Sequence, residues 1–409
     1  MKNFILNEGY HNNKNIYTHS KGSFVFINKK KFIDLGCNSG ANLLGHNTGI
    51  HKKIYRNFIK KNISNISSPN IHCLNFSKTL QKNLPYFSKF VFCNSGSESI
   101  VKAVRIAKAI SKKDLVVSAT GSWHGSVDQF LYGSNNRLKK IALSDGLSEV
   151  DKKRLILIPY NNIKLTKKIL LKNKKNIACI IIEPIQGCLP LLEAKKYLKF
   201  LSKFAKNQGL LLIFDEMITG LRANGGTVQS LFNIKTDIST FGKCYGGGSP
   251  LGFVAISKKI DKIITKKNIS VYFGGTFSGN SQNMFFSNES LKFILKNKKK
   301  IFNKINSNAQ MIEKEINKFC EKNSIDAKMY RFTSMLRLVY SSKLINNRFL
   351  RDFLEKEKNT SILQFKKYLY QKKIFYPGNG IAFVSNSLSK KNVGYIIKTI
   401  NNGLKKFLI

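Results

Sequence analysis

Two residues of this chain have types and surroundings suited to covalent chemistry. The run Leu210-Leu211-Leu212-Ile213-Phe214-Asp215-Glu216-Met217 is apolar for the length of a strand and ends in an acid. Lys243 follows within Thr240-Phe241-Gly242-Lys243-Cys244-Tyr245-Gly246-Gly247-Gly248. A continuous apolar run of this length reads as a buried parallel strand, and an acid at its end delivers a carboxylate to the rim of an α/β sheet, where ligands bind. Burying that carboxylate is costly without a cationic partner. A lysine beside three glycines lets a flat ligand approach without side-chain obstruction. Pyridoxal phosphate (PLP) needs such a pair. It works as an electron sink, with a carboxylate holding its pyridine nitrogen protonated and a lysine amine forming a Schiff base with its aldehyde. Asp215 and Lys243 are the candidates for the catalytic roles, and both would touch the cofactor. Each alone has a plainer reading, since an Asp at a strand end also caps helices and turns, and lysines crowd this chain.

Further segments could complete a cofactor site. Phe90-Val91-Phe92-Cys93-Asn94-Ser95-Gly96-Ser97-Glu98-Ser99 passes from a strand through small residues into a stretch of helical periodicity. Unpaired amides at a helix N-terminus cradle phosphate, which singles out Ser95, Gly96 and Ser97; an ordinary helix cap assisted by Glu98 is the alternative. Gly121-Ser122-Trp123-His124-Gly125 follows another strand and carries the chain's single tryptophan. Trp123 could stack on one face of a planar cofactor, leaving Met217 for the other. His124 reads equally as a cofactor contact or as a structural histidine. Gly274-Gly275-Thr276-Phe277-Ser278-Gly279-Asn280 is a glycine-rich turn whose amides and Thr276 hydroxyl suit a phosphate or carboxylate. Glu183 ends the run Ile180-Ile181-Ile182 near the same rim, with no assignable chemical role, and Glu216 has none either.

Positioning these residues requires a sheet. Apolar strand candidates lie at 89–93, 115–119, 155–158, 178–183, 210–214 and 252–256, most of them separated by helix-compatible stretches, which predicts an α/β domain with a mostly parallel sheet. A hairpin over 22–36 precedes them, and beyond about 285 long Lys/Asn-rich helical stretches with short strands near 335–340 and 381–385 predict a smaller α+β lobe. The expected division is an N-terminal segment 1–60 joining the small lobe, a large domain 61–285, and a C-terminal small domain 286–409.

The 409 residues, 42% hydrophobic, suffice for a large core. The formal charge of +48 would ordinarily raise a nucleic-acid or anionic-membrane partner. Here the lysines run along the whole chain with abundant Asn and Ile, while arginine, the preferred bidentate reader of phosphates and bases, is scarce. A solvated surface without a specific nucleic-acid partner is the expectation, and a basic nucleic-acid-binding protein without catalysis the weaker alternative. Seven scattered cysteines without a C-x-x-C pair predict reduced thiols and no metal site. The apolar stretch in Met1 to Glu8 is too short for a signal peptide and no run reaches membrane-spanning length, so a soluble, cytoplasmic protein is predicted.

Taken together, these motifs resemble the class III, fold-type I, PLP-dependent aminotransferase family. Asp215-Glu216-Met217-Ile218-Thr219-Gly220-Leu221-Arg222 and Gly275-Thr276-Phe277-Ser278-Gly279-Asn280 look most like its glutamate-1-semialdehyde 2,1-aminomutase branch. The resemblance runs from about residue 22 to the C-terminus with the motifs in family order. It implies Lys243 as the Schiff-base lysine, Asp215 on the pyridine nitrogen, Gly96 and Ser97 on the phosphate, and Trp123 at the ring where the family usually has tyrosine. It also implies a homodimer in which Thr276 reaches the neighbouring subunit's phosphate. The aminomutases carry an arginine-containing segment near the N-terminus and a glutamate before the last strand, whereas this chain has no arginine before Arg56 and only small and neutral residues from Tyr376 to Phe383. The expected activity is therefore amino transfer between a small-molecule amino donor and a carbonyl acceptor. Glutamate-1-semialdehyde aminomutase activity, forming 5-aminolevulinate, is the alternative.

Overall fold

A computed structural model describes residues 15–135 and 138–408, so the N-terminal segment from Met1 to Lys14 lies outside the described residues. The chain divides into two compact units. The larger comprises 54–187 and 192–296, and the smaller comprises the described residues up to 53, 188–191 and those from 297 onward. The helix Ser281–Lys296 thus belongs to the larger unit, and the short stretch 188–191 to the smaller.

The larger unit is built on seven strands in the spatial order Phe87–Cys93, Gly252–Ser257, Ile238–Gly242, Leu211–Asp215, Ile177–Ile182, Leu115–Ala119 and Leu155–Ile158. Gly252–Ser257 runs antiparallel to both neighbours, and every other pairing is parallel. The fold is therefore α/β with a mostly parallel sheet. Ile177–Ile182 and Leu211–Asp215 are buried at every residue, as their continuous apolar runs require of strands covered on both faces. The helix Gly96–Ser111 packs Ile100, Ala103, Val104, Ile106 and Ala107 into one cluster with Val116, Ile181, Ile213, Ile238 and Val254 from the sheet. Each of these Ile and Val side chains contributes about 1.5–3 kcal/mol when fully buried.

One strand of this sheet, Ile238–Gly242, is absent from the strands expected from sequence. Its Ser239 and Thr240 interrupt the apolar pattern, yet both are fully buried and hydrogen-bonded. In the sheet it pairs Thr240 with Asp215 and ends immediately before Lys243.

The smaller unit carries a four-stranded sheet, in which Tyr17–Lys21, Phe24–Ile27 and Lys30–Asp34 form a meander and Ile374–Phe375 joins in parallel. A second, antiparallel sheet comprises Lys328–Phe332, Met335–Val339 and Ile381–Phe383. The helices Lys298–Lys322, Arg348–Lys356, Asn359–Gln371 and Lys390–Phe407 belong to the same unit. No helix among the described residues is long and apolar enough to cross a membrane.

Candidate active site

The C-terminal end of the parallel strands gathers a chain of polar contacts around one carboxylate. Asp215, 3% exposed, closes its strand, and its Oδ1 accepts hydrogen bonds from Met217 N and Thr240 Oγ1, both at 3.1 Å. Its Oδ2 lies 2.7 Å from His124 Nδ1, and His124 Nε2 lies 3.1 Å from Ser118 Oγ. The buried histidine thus has both ring nitrogens engaged, one of them on Asp215.

Lys243 begins a short 3-10 turn directly after Gly242 and is half-buried. Its φ of 44° is left-handed, which costs a residue with a Cβ on the order of 1–2 kcal/mol. Burial, then the neighbouring Arg222 guanidinium, pushes its ammonium down to about 8, against the opposing pull of Asp215 and Glu183. Arg222 is itself fixed, with Nη1 donating to Ile218 O at 2.9 Å and to Cys244 Sγ at 2.8 Å. An amine held near pH 8 is neutral in a substantial fraction of molecules at physiological pH and can act as nucleophile or base.

Between these groups the backbone stays bare. A Cβ on Gly242 would lie 2.5 Å from Met217 Sδ, and one on Gly96 would lie 3.0 Å from Met217 Cε. Met217 therefore fills the floor between the strand end and the first turn of Gly96–Ser111. That helix starts with a capping box in which Ser95 Oγ accepts from Glu98 N at 3.2 Å and Glu98 Oε2 accepts from Asn94 N at 3.3 Å. The Ser95 hydroxyl serves this cap. Ser97 Oγ accepts from Ser126 N at 3.0 Å, and a Cβ on Gly125 would collide with that same oxygen. The loop from Gly121 to Gly125 and the helix N-terminus are thereby locked together.

The two carboxylates left without a role by sequence reasoning prove to shape loops. Glu183 Oε1 accepts from Trp123 N at 2.7 Å and its Oε2 from Gly187 N at 3.1 Å, with burial and the Asp215 charge pushing its carboxyl up. Trp123 is anchored by its backbone, with its side chain 47% exposed. Glu216, fully buried, accepts from Thr219 Oγ1, Val228 N and Gln229 N, and burial pushes it up to about 7. It ties the loop after Asp215 to the N-terminus of the helix Val228–Phe232. Gly275 and Thr276 sit exposed on their turn, and the Thr276 side chain makes no hydrogen bond among the described residues. Arg222, Thr240 and Ser118 were not among the site residues expected from sequence. A single arginine amid apolar and small residues at 217–223 was the one available signal.

The sheet order and its covering helices are those of a fold-type I PLP-enzyme architecture, and solved structures share that fold. An omega-transaminase from Sphaerobacter thermophilus superposes with a TM-score of 0.87 at 18% identity, over 96% of this chain and 91% of that one. A glutamate-1-semialdehyde aminomutase from Pseudomonas aeruginosa PAO1 does so with 0.85 at 15% identity, over 96% and 88%. The chain belongs to the aminotransferase class-III family, which it matches over residues 5–336. It is 32% identical over 302 residues to glutamate-1-semialdehyde 2,1-aminomutase of Methanococcus maripaludis, covering 73% of this chain and 68% of that protein. To the protein of that name from Thermosipho africanus it is 30% identical over 383 residues, covering 91% and 88%.

Proposed function

We propose that this protein is a PLP-dependent aminotransferase in which Lys243 holds the cofactor and moves protons during amino transfer from an amino donor to a carbonyl acceptor. The observation that carries the reading is the buried Asp215 carboxylate on one strand end with the depressed Lys243 amine beyond the next strand. The residues present fit PLP. The glycines at 96 and 242 let Met217 pack directly on the backbone beside Asp215, and the amides of Gly96 and Ser97 at a helix N-terminus suit the PLP phosphate. When bound, PLP supplies an electron sink for charge developing on the substrate carbon.

The chain's own residues do the rest. Asp215 would hold the ring nitrogen in its protonated form, oriented by Thr240, Met217 N and His124. Lys243 Nζ would bond the cofactor in the resting enzyme and, once released, carry a proton to and from the substrate carbon. Trp123 would cover the ring from the loop that Glu183 holds. Gly275 and Thr276, exposed on their turn, would meet the phosphate of a second copy of the chain in a homodimer. Mixing Lys243→Ala protein with a Thr276-disrupted protein should restore part of the activity through one intact composite site. Lack of rescue despite verified subunit exchange would remove the shared site.

Visible absorption and borohydride reduction of the purified protein test the assignment. The wild-type chain should be yellow and retain PLP after reduction, whereas Lys243→Ala should have no reducible link and no turnover. A colourless protein that added PLP does not restore would end the enzyme reading and favour a basic binding protein. The names of the relatives favour a second reading, glutamate-1-semialdehyde aminomutase. The absence of arginine before Arg56 speaks against it, because a small anionic amino acid needs a positioned cation. A larger or less charged carbonyl substrate is expected. Efficient formation of 5-aminolevulinate from glutamate 1-semialdehyde would promote the aminomutase.

A further inference from the structure

The smaller unit contains a cleft of about 330 Å³ whose lining includes Arg337, Tyr340, Asp352, Glu355, Lys366 and Gly380. Arg337 stands in the strand Met335–Val339 and is 7% exposed. Its Nη1 donates to the Asn379 carbonyl and its Nη2 lies 3.4 Å from Glu355 Oε2, while its Nε has no hydrogen-bond partner among the described residues. The Tyr340 hydroxyl, on a side chain 3% exposed, has none either. A buried donor left without an acceptor destabilises the fold, so two at one cleft need a reason.

The charges around the cleft do not balance. Asp352 is paired with Arg348 at 3.1 Å and also with Arg351. Glu355 is shared between Arg337, Arg351 at 3.6 Å and the Tyr340 amide at 3.2 Å. Among the described residues Lys366 forms no ion pair, its Nζ donating to Gly378 O at 2.8 Å, and Lys356 lies at the same opening. Burial and then the Arg337 charge push the Lys366 ammonium below its usual range, against the opposing pull of Glu355. Gly380, at φ +77°, presents no side chain here; a Cβ would run into Arg337 Nη1.

We propose that this cleft binds the oxyanion group, carboxylate or phosphate, of a small metabolite, held between Arg337 and Lys366 beside the Tyr340 hydroxyl. The planar guanidinium fork supplies directed donors and the lysine a point charge, the usual pairing for such groups. The site is a binding function in addition to the amino transfer proposed above.

The test uses the full chain saturated with PLP, so that the cofactor's own phosphate is in place before any probe is added. Inorganic phosphate and acetate are titrated calorimetrically at matched ionic strength in chloride, with acetylation of Lys366 by acetic anhydride followed by peptide mass spectrometry. At least one anion should bind saturably and slow that acetylation, and the tighter of the two identifies a phosphate or a carboxylate ligand. Lys366→Met should weaken binding about tenfold and Tyr340→Phe several-fold, the loss of one charge-assisted and one neutral hydrogen bond. Arg337→Met should abolish it, but that change also removes a buried partner of Glu355 and of the Asn379 carbonyl and can unfold the unit, so the other two variants decide. Failure of both anions to outbind chloride, or affinities unchanged in both Lys366→Met and Tyr340→Phe, overturns the assignment.

Discussion

His124 Nδ1 and Asp215 Oδ2 approach to 2.7 Å across 91 residues of sequence, joining the loop after one parallel strand to the end of another. The contact makes the carboxylate a fixed object, because Thr240 and Met217 N hold its other oxygen. Asp215→Asn should lower kcat by about 10²-fold or more by removing the charge opposite the ring nitrogen. His124→Phe, which leaves that charge in place, should cost only about tenfold, the value of one hydrogen bond to a charged group. Steady-state kinetics of the two variants with one donor–acceptor pair check the ordering; equal losses would place His124 in direct contact with the reacting atoms.

The depressed Lys243 amine gives a pH signature. Below about 8 Nζ is mostly protonated and cannot attack an aldehyde, so the rate at which cofactor-free protein takes up PLP should rise with pH and level off above about 8. Stopped-flow absorbance measures it. Since the Arg222 charge contributes to the depression, Arg222→Gln protein that keeps its native circular dichroism should shift this midpoint upward.

Glu216 predicts a stability effect of opposite sign. Its folded value of about 7 exceeds the usual 4.5, so between those limits the folded state binds more protons than the unfolded state. Stability therefore falls as pH rises from about 4.5 through 7. Glu216→Gln should flatten this slope in urea titrations, leaving the share of Glu183, and cost about 1–3 kcal/mol near pH 5, because the amide turns a donor toward Val228 N or Gln229 N.

Gly125→Ala should leave the chain folded and weaken PLP binding about tenfold, since the added Cβ strains a left-handed residue and displaces Ser97 from the helix N-terminus. Fluorescence titration of cofactor-free protein would show it. Unchanged affinity would mean that Ser97 does not contribute to phosphate binding.

The strand that ends in Asp215 was legible in the sequence because burial writes itself into composition: five consecutive apolar residues leave few options besides a covered strand. The strand before Lys243 was hidden because Ser239 and Thr240 satisfy their hydroxyls inside the sheet, and polar residues buried this way mimic a loop. Glu183 and Glu216 accept hydrogen bonds from backbone amides, which carry no sequence identity. His124 could be suspected as a ligand contact, but its engagement with Asp215 depends on how two loops meet, and spacing along the chain encodes nothing of that.

The parallel pairing of Leu211–Asp215 with Ile238–Gly242 sets Asp215 opposite Thr240, so the carboxylate and the lysine are spaced by a ladder of backbone hydrogen bonds. Adjacent strands keep a separation of about 4.8 Å whatever their side chains are. Loops on this rim can lengthen, shorten or change chemistry without altering that interval, whereas deleting one residue from the lysine's strand would turn its downstream side chains to the opposite face. Substrate preference can thus drift with the loops, while the gauge between Asp215 and Lys243 stays fixed by the sheet.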